Sequence, residues 1–137
     1  MTKVIFACVQ NAGRSQMAAA WFRTLADDQR AHAVSAGTAP ADRVHPVVVD
    51  VMSEVGIDLS TAQPRLLTAE LAQGASLLVT MGCGDACPFV PGARIEDWPL
   101  QDPKDLDIDS VRRIRDEIRQ RVITLLADEG WAAVPAS

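Results

Sequence analysis

The chain has 137 residues, of which 48% are hydrophobic. That is enough for one core without disulfide or metal staples, so a single domain over residues 1–137 is expected. A net charge of −5 opposes general nucleic-acid binding, so any anion site must be a local positive spot on an acidic protein.

In chain order, an apolar strand is expected at residues 3–7 and ends at Cys8. Val9, Gln10, Asn11, Ala12 and Gly13 form a short loop, and Arg14 and Ser15 open a helix with Met17, Ala18, Trp21, Phe22 and Leu25 on one face. A short strand is expected at residues 32–35. His45 and Pro46 open a second helix, with Val47, Val51, Met52 and Val55 as its apolar face; His45 is read as a cap or a solvated residue without chemistry. A short helix at residues 69–73 precedes a third strand at 76–80, and a fourth strand is expected at 93–96. Between those strands, Cys83 and Cys87 lie among Gly82, Gly84 and Pro88, which mark a loop. The last helix starts near Asp109 and buries Val111, Ile114, Ile118, Val122 and Leu125. Its alternating charges, Arg115 among them, read as a solvated face, and the tail after Trp131 is expected to fray. Strands alternating with helices predict an α/β fold, a three-layer sandwich around a parallel sheet. Loops that follow parallel strands gather at one edge, which would place Cys8 and Cys83 together. No leader-like segment precedes the first strand, and no apolar run is long enough to span a bilayer. The expected location is therefore the cytoplasm, where cysteines serve catalysis or metals more often than structural disulfides.

The segment from Cys8 to Ser15 reads as a thiol inside an oxyanion cradle. A thiolate is the nucleophilic form of cysteine, and helix N-termini and arginines favour it. The loop of Val9, Gln10, Asn11, Ala12 and Gly13 can turn successive N–H groups inward as an anion-binding nest. The helix opening at Arg14 adds its own unpaired N–H groups and positive dipole end. Asn11 tolerates left-handed geometry, Arg14 offers a planar fork for two oxygens, and the Ser15 hydroxyl can donate to the Cys8 sulfur. The bland alternative is a buried structural cysteine beside a solvated arginine.

Cys8, five intervening residues, Arg14 and Ser15, placed after an N-terminal strand, resemble the low-molecular-weight protein tyrosine phosphatases. They equally resemble the arsenate reductases built on the same fold. The resemblance covers nearly the whole chain and implies a four-stranded sheet of order 2-1-3-4, which periodicity alone does not supply. It also implies that Asp102, in the pair Asp102 and Pro103, is the general acid that protonates the leaving oxygen, with Asp97 and Asp105 as competitors. The chain has no tyrosine to shape an aryl pocket, which argues against an aryl phosphate substrate.

Cys83 and Cys87 separate the two families. Half of a zinc site is one reading, but only His32 and His45 are present and neither pairs at ligand spacing, so no metal is assigned. Two inert cysteines in a phosphatase is another. The stretch itself resembles the redox loop of the thioredoxin-coupled arsenate reductases. That resemblance implies arsenate as substrate and a relay of thiol exchange through Cys8, Cys83 and Cys87. It implies no bound cofactor, with electrons from thioredoxin, itself reduced by NADPH through thioredoxin reductase, and a monomeric protein. Only Gly84, Asp85 and Ala86 separate the last two cysteines, a short interval that leaves the final donor open. Some relatives bind potassium near the cradle through an acidic residue; Ala19 stands at that position here, which argues against a bound cation, although Asn11 and Asp58 could still contribute. Three alternatives stay open: a phosphatase with redox-regulatory cysteines, a non-catalytic arsenical sensor, and resolution by a small thiol such as mycothiol or glutathione.

Overall fold

The computed structural model describes residues 2–82 and 90–133, so Cys83 and Cys87 lie outside the described residues. Its elements are β1 (Thr2–Cys8), α1 (Arg14–Leu25), β2 (Ala31–Gly37), α2 (Pro46–Ser53), α3 (Ala69–Ala72), β3 (Leu77–Thr80), β4 (Arg94–Asp97) and α4 (Ile108–Glu129). The strands form one sheet in the order β2-β1-β3-β4, and all three pairings are parallel. The expected α/β architecture and strand order are both present.

β1 is central, which is why its apolar run is nearly continuous. Its pleat sends Val4, Phe6 and Cys8 into a core shared with α1, α2 and α4. Ile5 and Ala7 enter a smaller core with Ala36, Leu67, Ala72 and Leu78. In the larger core the Phe6 ring lies 5.9 Å from Phe22 and 5.5 Å from Trp98. Each such fully buried side chain contributes roughly 1.5–3 kcal/mol relative to exposure. The register sets Cys8 beside Gly37, and Ala7 beside Thr80, so the strand ends that bear the site lie level.

Three expectations are corrected. Helix α2 ends at Ser53, so Val55 falls beyond its last turn and is 37% exposed, while Val48 joins Val51 and Met52 in the core. Arg115 is not solvated: it is 9% exposed, and its Nη1 donates to Val51 O at 2.9 Å and to Glu54 Oε1 at 2.8 Å. It lies where α4 packs on α2, and periodicity of charge could not reveal that contact. Arg112 also forks onto Glu54, and these hydrogen bonds pull the Glu54 carboxyl from its ordinary 4.5 down to about 2. Lastly, of the tail after Trp131, Ala132 and Ala133 are tied down, and the rest, from residue 134, lies outside the described residues. Trp131 O accepts from Asp27 N at 2.7 Å, and Ala133 N donates to Leu25 O at 3.0 Å. The Trp131 ring sits 6.3 Å from Phe22, so apolar contact anchors what polarity alone would free.

Candidate active site

Cys8 is 2% exposed at the carboxyl end of β1. Its Sγ lies 2.9 Å from Ser15 Oγ and accepts the Asn11 backbone N–H at 3.3 Å. Asn11 Nδ2 donates to the same Ser15 oxygen at 2.7 Å. Because Ser15 Oγ accepts that N–H, its own proton is free to turn toward the Cys8 sulfur.

The loop's carbonyls explain how its N–H groups are aimed. Cys8 O accepts from Thr38 N at 3.1 Å, Val9 O from Ala39 N at 2.8 Å, and Gln10 O from Ala41 N at 2.9 Å. Asn11 O accepts from Gln16 Nε2 at 3.0 Å, and Ala12 O from His45 N at 2.9 Å. Among the described residues no peptide bond is cis, and the C=O and N–H of a trans peptide point oppositely. The N–H groups of Val9, Gln10, Asn11, Ala12 and Gly13 therefore turn away from those partners, and the Asn11 N–H reaches Cys8. The loop is oriented by Gln16 and by an outer layer of residues after β2, whose role in holding its carbonyls sequence reading did not identify.

Two backbone features make the loop possible. Asn11 is fully buried at φ 52°, held by its side chain: Oδ1 accepts from Gln16 Nε2 at 3.1 Å and from Arg65 N at 3.0 Å. At Gly37 the loop passes so close that a Cβ would collide with Val9 O and lie 2.9 Å from Asn11 N. Glycine before the loop after β2 was visible in sequence, but the close approach was not.

The amino end of α1 is left open. Gly13 supplies no capping side chain, and no acidic residue occupies the first turn. Its unpaired N–H groups and positive dipole end thus face the cradle unneutralised. Arg14, 8% exposed, donates from Nη1 to Leu100 O at 3.1 Å, and its Nη2 lies 3.6 Å from Asp102 Oδ2. Asp102 is half-exposed, so the acid sits at the mouth of the site, within reach of both solvent and the arginine fork. Pro103 packs over the cradle, since a Cβ on Gly13 would meet Pro103 Cγ at 2.7 Å. The competing acids stand apart in bonding: Asp97 Oδ1 accepts from Thr80 Oγ1 at 2.8 Å, and Asp105 is an exposed turn residue at φ 63°.

His45, read as chemically idle, lies beside the cradle: its Cδ2 is 3.6 Å from the point a Gly13 Cβ would occupy. The far side of Arg14 touches Gly82, the residue before Cys83, whose φ of 95° and bare Cα leave room for the guanidinium. Cys83 and Cys87 themselves lie outside the described residues. The two oxygens named for a potassium ion already accept hydrogen bonds. Both Asn11 Oδ1 contacts are N–H donors, and Asp58 Oδ1 is taken by Ser60 N at 2.8 Å. The arrangement can hold a tetrahedral oxyanion against a nucleophilic sulfur, with an arginine fork and a carboxyl group at its mouth.

Residues 3–133 match the family described as low molecular weight phosphotyrosine protein phosphatase, and the chain belongs to that family. A putative arsenate reductase of Halobacterium salinarum is 42% identical over 130 residues, covering 90% of each chain. A glutaredoxin arsenate reductase of Synechocystis is 34% identical, covering 93% of this chain and 98% of that protein. The structure of a thioredoxin-dependent arsenate reductase of Corynebacterium glutamicum superposes with a TM-score of 0.81 at 38% identity. That match covers 93% of this chain and 61% of the Corynebacterium chain, so this chain spans less than two thirds of that protein.

Proposed function

We propose that this member of the low molecular weight phosphotyrosine protein phosphatase family is an arsenate reductase that works by a three-thiol relay. The observation that carries the reading is the cradle around Cys8, beside which β3 ends and the chain passes Gly82 against Arg14, with two further cysteines next in the sequence. Phosphate chemistry has no use for a dithiol, whereas two electrons convert As(V) to As(III). The names of the similar proteins support the same substrate.

In this mechanism the nest and Arg14 bind arsenate, and the Cys8 thiolate attacks arsenic. An As–O bond breaks, Asp102 supplies the proton, and water leaves. The Cys83 thiolate then attacks the Cys8 sulfur. A Cys8–Cys83 disulfide forms, the S–As bond breaks, and its electron pair stays on arsenic, which departs as arsenite. Cys87 attacks the Cys83 sulfur and frees Cys8. A thioredoxin-like dithiol reduces the Cys83–Cys87 bond, drawing electrons from NADPH through its own reductase, so no bound cofactor takes part. The similar proteins carry both thioredoxin and glutaredoxin in their names, which makes the donor the finer point of this proposal. Among the described residues no helix is long and apolar enough to cross a membrane, in keeping with a reaction beside a cytoplasmic thiol pool.

The test is arsenate-dependent NADPH oxidation with thioredoxin and thioredoxin reductase, in the wild type and in Cys8→Ser, Cys83→Ser and Cys87→Ser. Turnover that needs all three thiols is expected. Turnover that survives Cys87→Ser removes the last relay step, and phosphatase activity needing Cys8 alone, without arsenate turnover, rejects the reductase.

A further inference from the structure

A second concave site lies behind the cradle, between α1 and the edge strand β2. It is a cleft of about 300 Å³, lined by Gln16 and Arg23 of α1, Ser35 of β2, and Gln63 and Arg65 of the segment before α3. The two arginines are close enough to repel. Both are exposed residues at the rim of the cleft, and Arg23 is held below its ordinary pKa, first by partial burial and then by the charge of Arg65. Neither arginine has a carboxylate partner among the described residues, although the chain carries 18 acidic residues with which to supply one. Placing like charges together without a counterion is unfavourable. Ser35 lines the same cleft, and its hydroxyl, which has no protein partner among the described residues, is open to it.

We propose that this cleft binds a small, doubly charged inorganic oxyanion at a site separate from the cradle. Two guanidinium forks suit the oxygens of a sulfate-like or phosphate-like ion, and the Ser35 hydroxyl supplies a third donor. The site also has a route to the thiol. Arg65 is fixed by its backbone: its N–H donates to Asn11 Oδ1 at 3.0 Å, and its carbonyl accepts from Gly37 N at 2.9 Å. Asn11 in turn holds Ser15 Oγ at 2.7 Å, and Ser15 lies 2.9 Å from the Cys8 sulfur. Gln16, which ties down the Asn11 carbonyl, reaches Gln63 O at 3.4 Å from the same cleft. An anion that gathers Arg23 and Arg65 therefore steadies the strut beneath Asn11, and through it the hydroxyl against Cys8. The inference does not depend on the reductase reading, because its readout is binding alone.

Inorganic sulfate, which thiols do not reduce, is titrated into the full chain while backbone amide resonances are followed by NMR. Two saturable groups are expected, one from residues 9–13 and one from Arg23, Ser35 and Arg65. The double variant R23Q/R65Q should weaken the second group about ten-fold or more and leave the first in place, since two charge-assisted contacts are lost. Arg43→Gln, which removes a surface charge elsewhere, should leave both groups unchanged. R23Q and R65Q singly serve the same test if the double variant does not fold. Amides of Arg23, Ser35 and Arg65 that do not respond, or that saturate at the same sulfate concentration in R23Q/R65Q, overturn the proposal. A phosphoserine peptide presents the same chemistry. Binding of that peptide without binding of the free ion overturns the assignment to an inorganic ligand.

Discussion

The amino ends of α1 and α4 pose the same physical problem and are treated in opposite ways. Both helices begin with backbone N–H groups that have no partner within the helix. At α4 the chain closes the end itself: Asp107 accepts from Ser110 N at 3.2 Å, and Asp109 adds negative charge in the first turn. At α1 there is neither a capping side chain nor an acid, and the buried end faces Cys8. Leaving such an end open is unfavourable unless something else satisfies it. The contrast marks α1 as the end left open beside Cys8 and α4 as the end closed by its own residues.

Three substitutions break or sharpen that contrast. The largest effect is expected at Asn11, whose side chain joins Ser15, Gln16 and Arg65. Asn11→Ala strands those buried groups and places alanine at φ 52°, so a loss of about 2–4 kcal/mol of stability is expected by chemical denaturation. Arsenate turnover should fall by two orders of magnitude or more, on the scale of losing a positioned oxyanion donor. Retained turnover in a folded Asn11→Ala protein would remove Asn11 from the machinery. Next is Gly37→Ala, whose Cβ collides with the Val9 carbonyl, a backbone atom that cannot swing aside. A cost of about 1–3 kcal/mol is expected, with turnover reduced because the loop must shift. A crystal structure of this variant with an unmoved loop would contradict the account.

The smallest effect is at the closed helix. Asp107→Ala should lower the melting temperature and spare turnover. The carboxyl of Asp107 is held below its ordinary 3.8, chiefly by the Ser110 side chain and then by the Ser110 backbone N–H. Its stabilisation is therefore present above about pH 3.8 and lost as pH falls through the lower, folded value. The melting-temperature gap between wild type and variant should be full at neutral pH and close in acid. A gap independent of pH would assign the loss to something other than the carboxylate.

Much of the cradle was legible in the sequence because its chemistry is local. Cys8, Asn11, Arg14 and Ser15 fall within a few residues of one another, and a strand, a loop and a helix in that order leave little choice of geometry. Asp102 was legible only through resemblance, since an aspartate before a proline is by itself a common turn. The outer layer was not legible. Nothing in Thr38, Ala39 and Ala41 as residue types marks them as partners of the loop, because they act through backbone N–H groups that every such residue carries. Arg115 was misread for a related reason: its charge fits a solvated pattern, and only the approach of α2 buries it.

The sequence by itself determined the alternation of strands and helices, the apolar first strand and the placement of a thiol just before the amino end of a helix. These follow from short-range periodicity and from the residue types that turns and helix ends require. Only the tertiary structure decided which peptide groups of the loop face the sulfur, how Arg14 meets Asp102, and why Arg23 and Arg65 share a cleft. Each of those depends on segments tens of residues apart being pressed together by the core, and no local pattern encodes that distance.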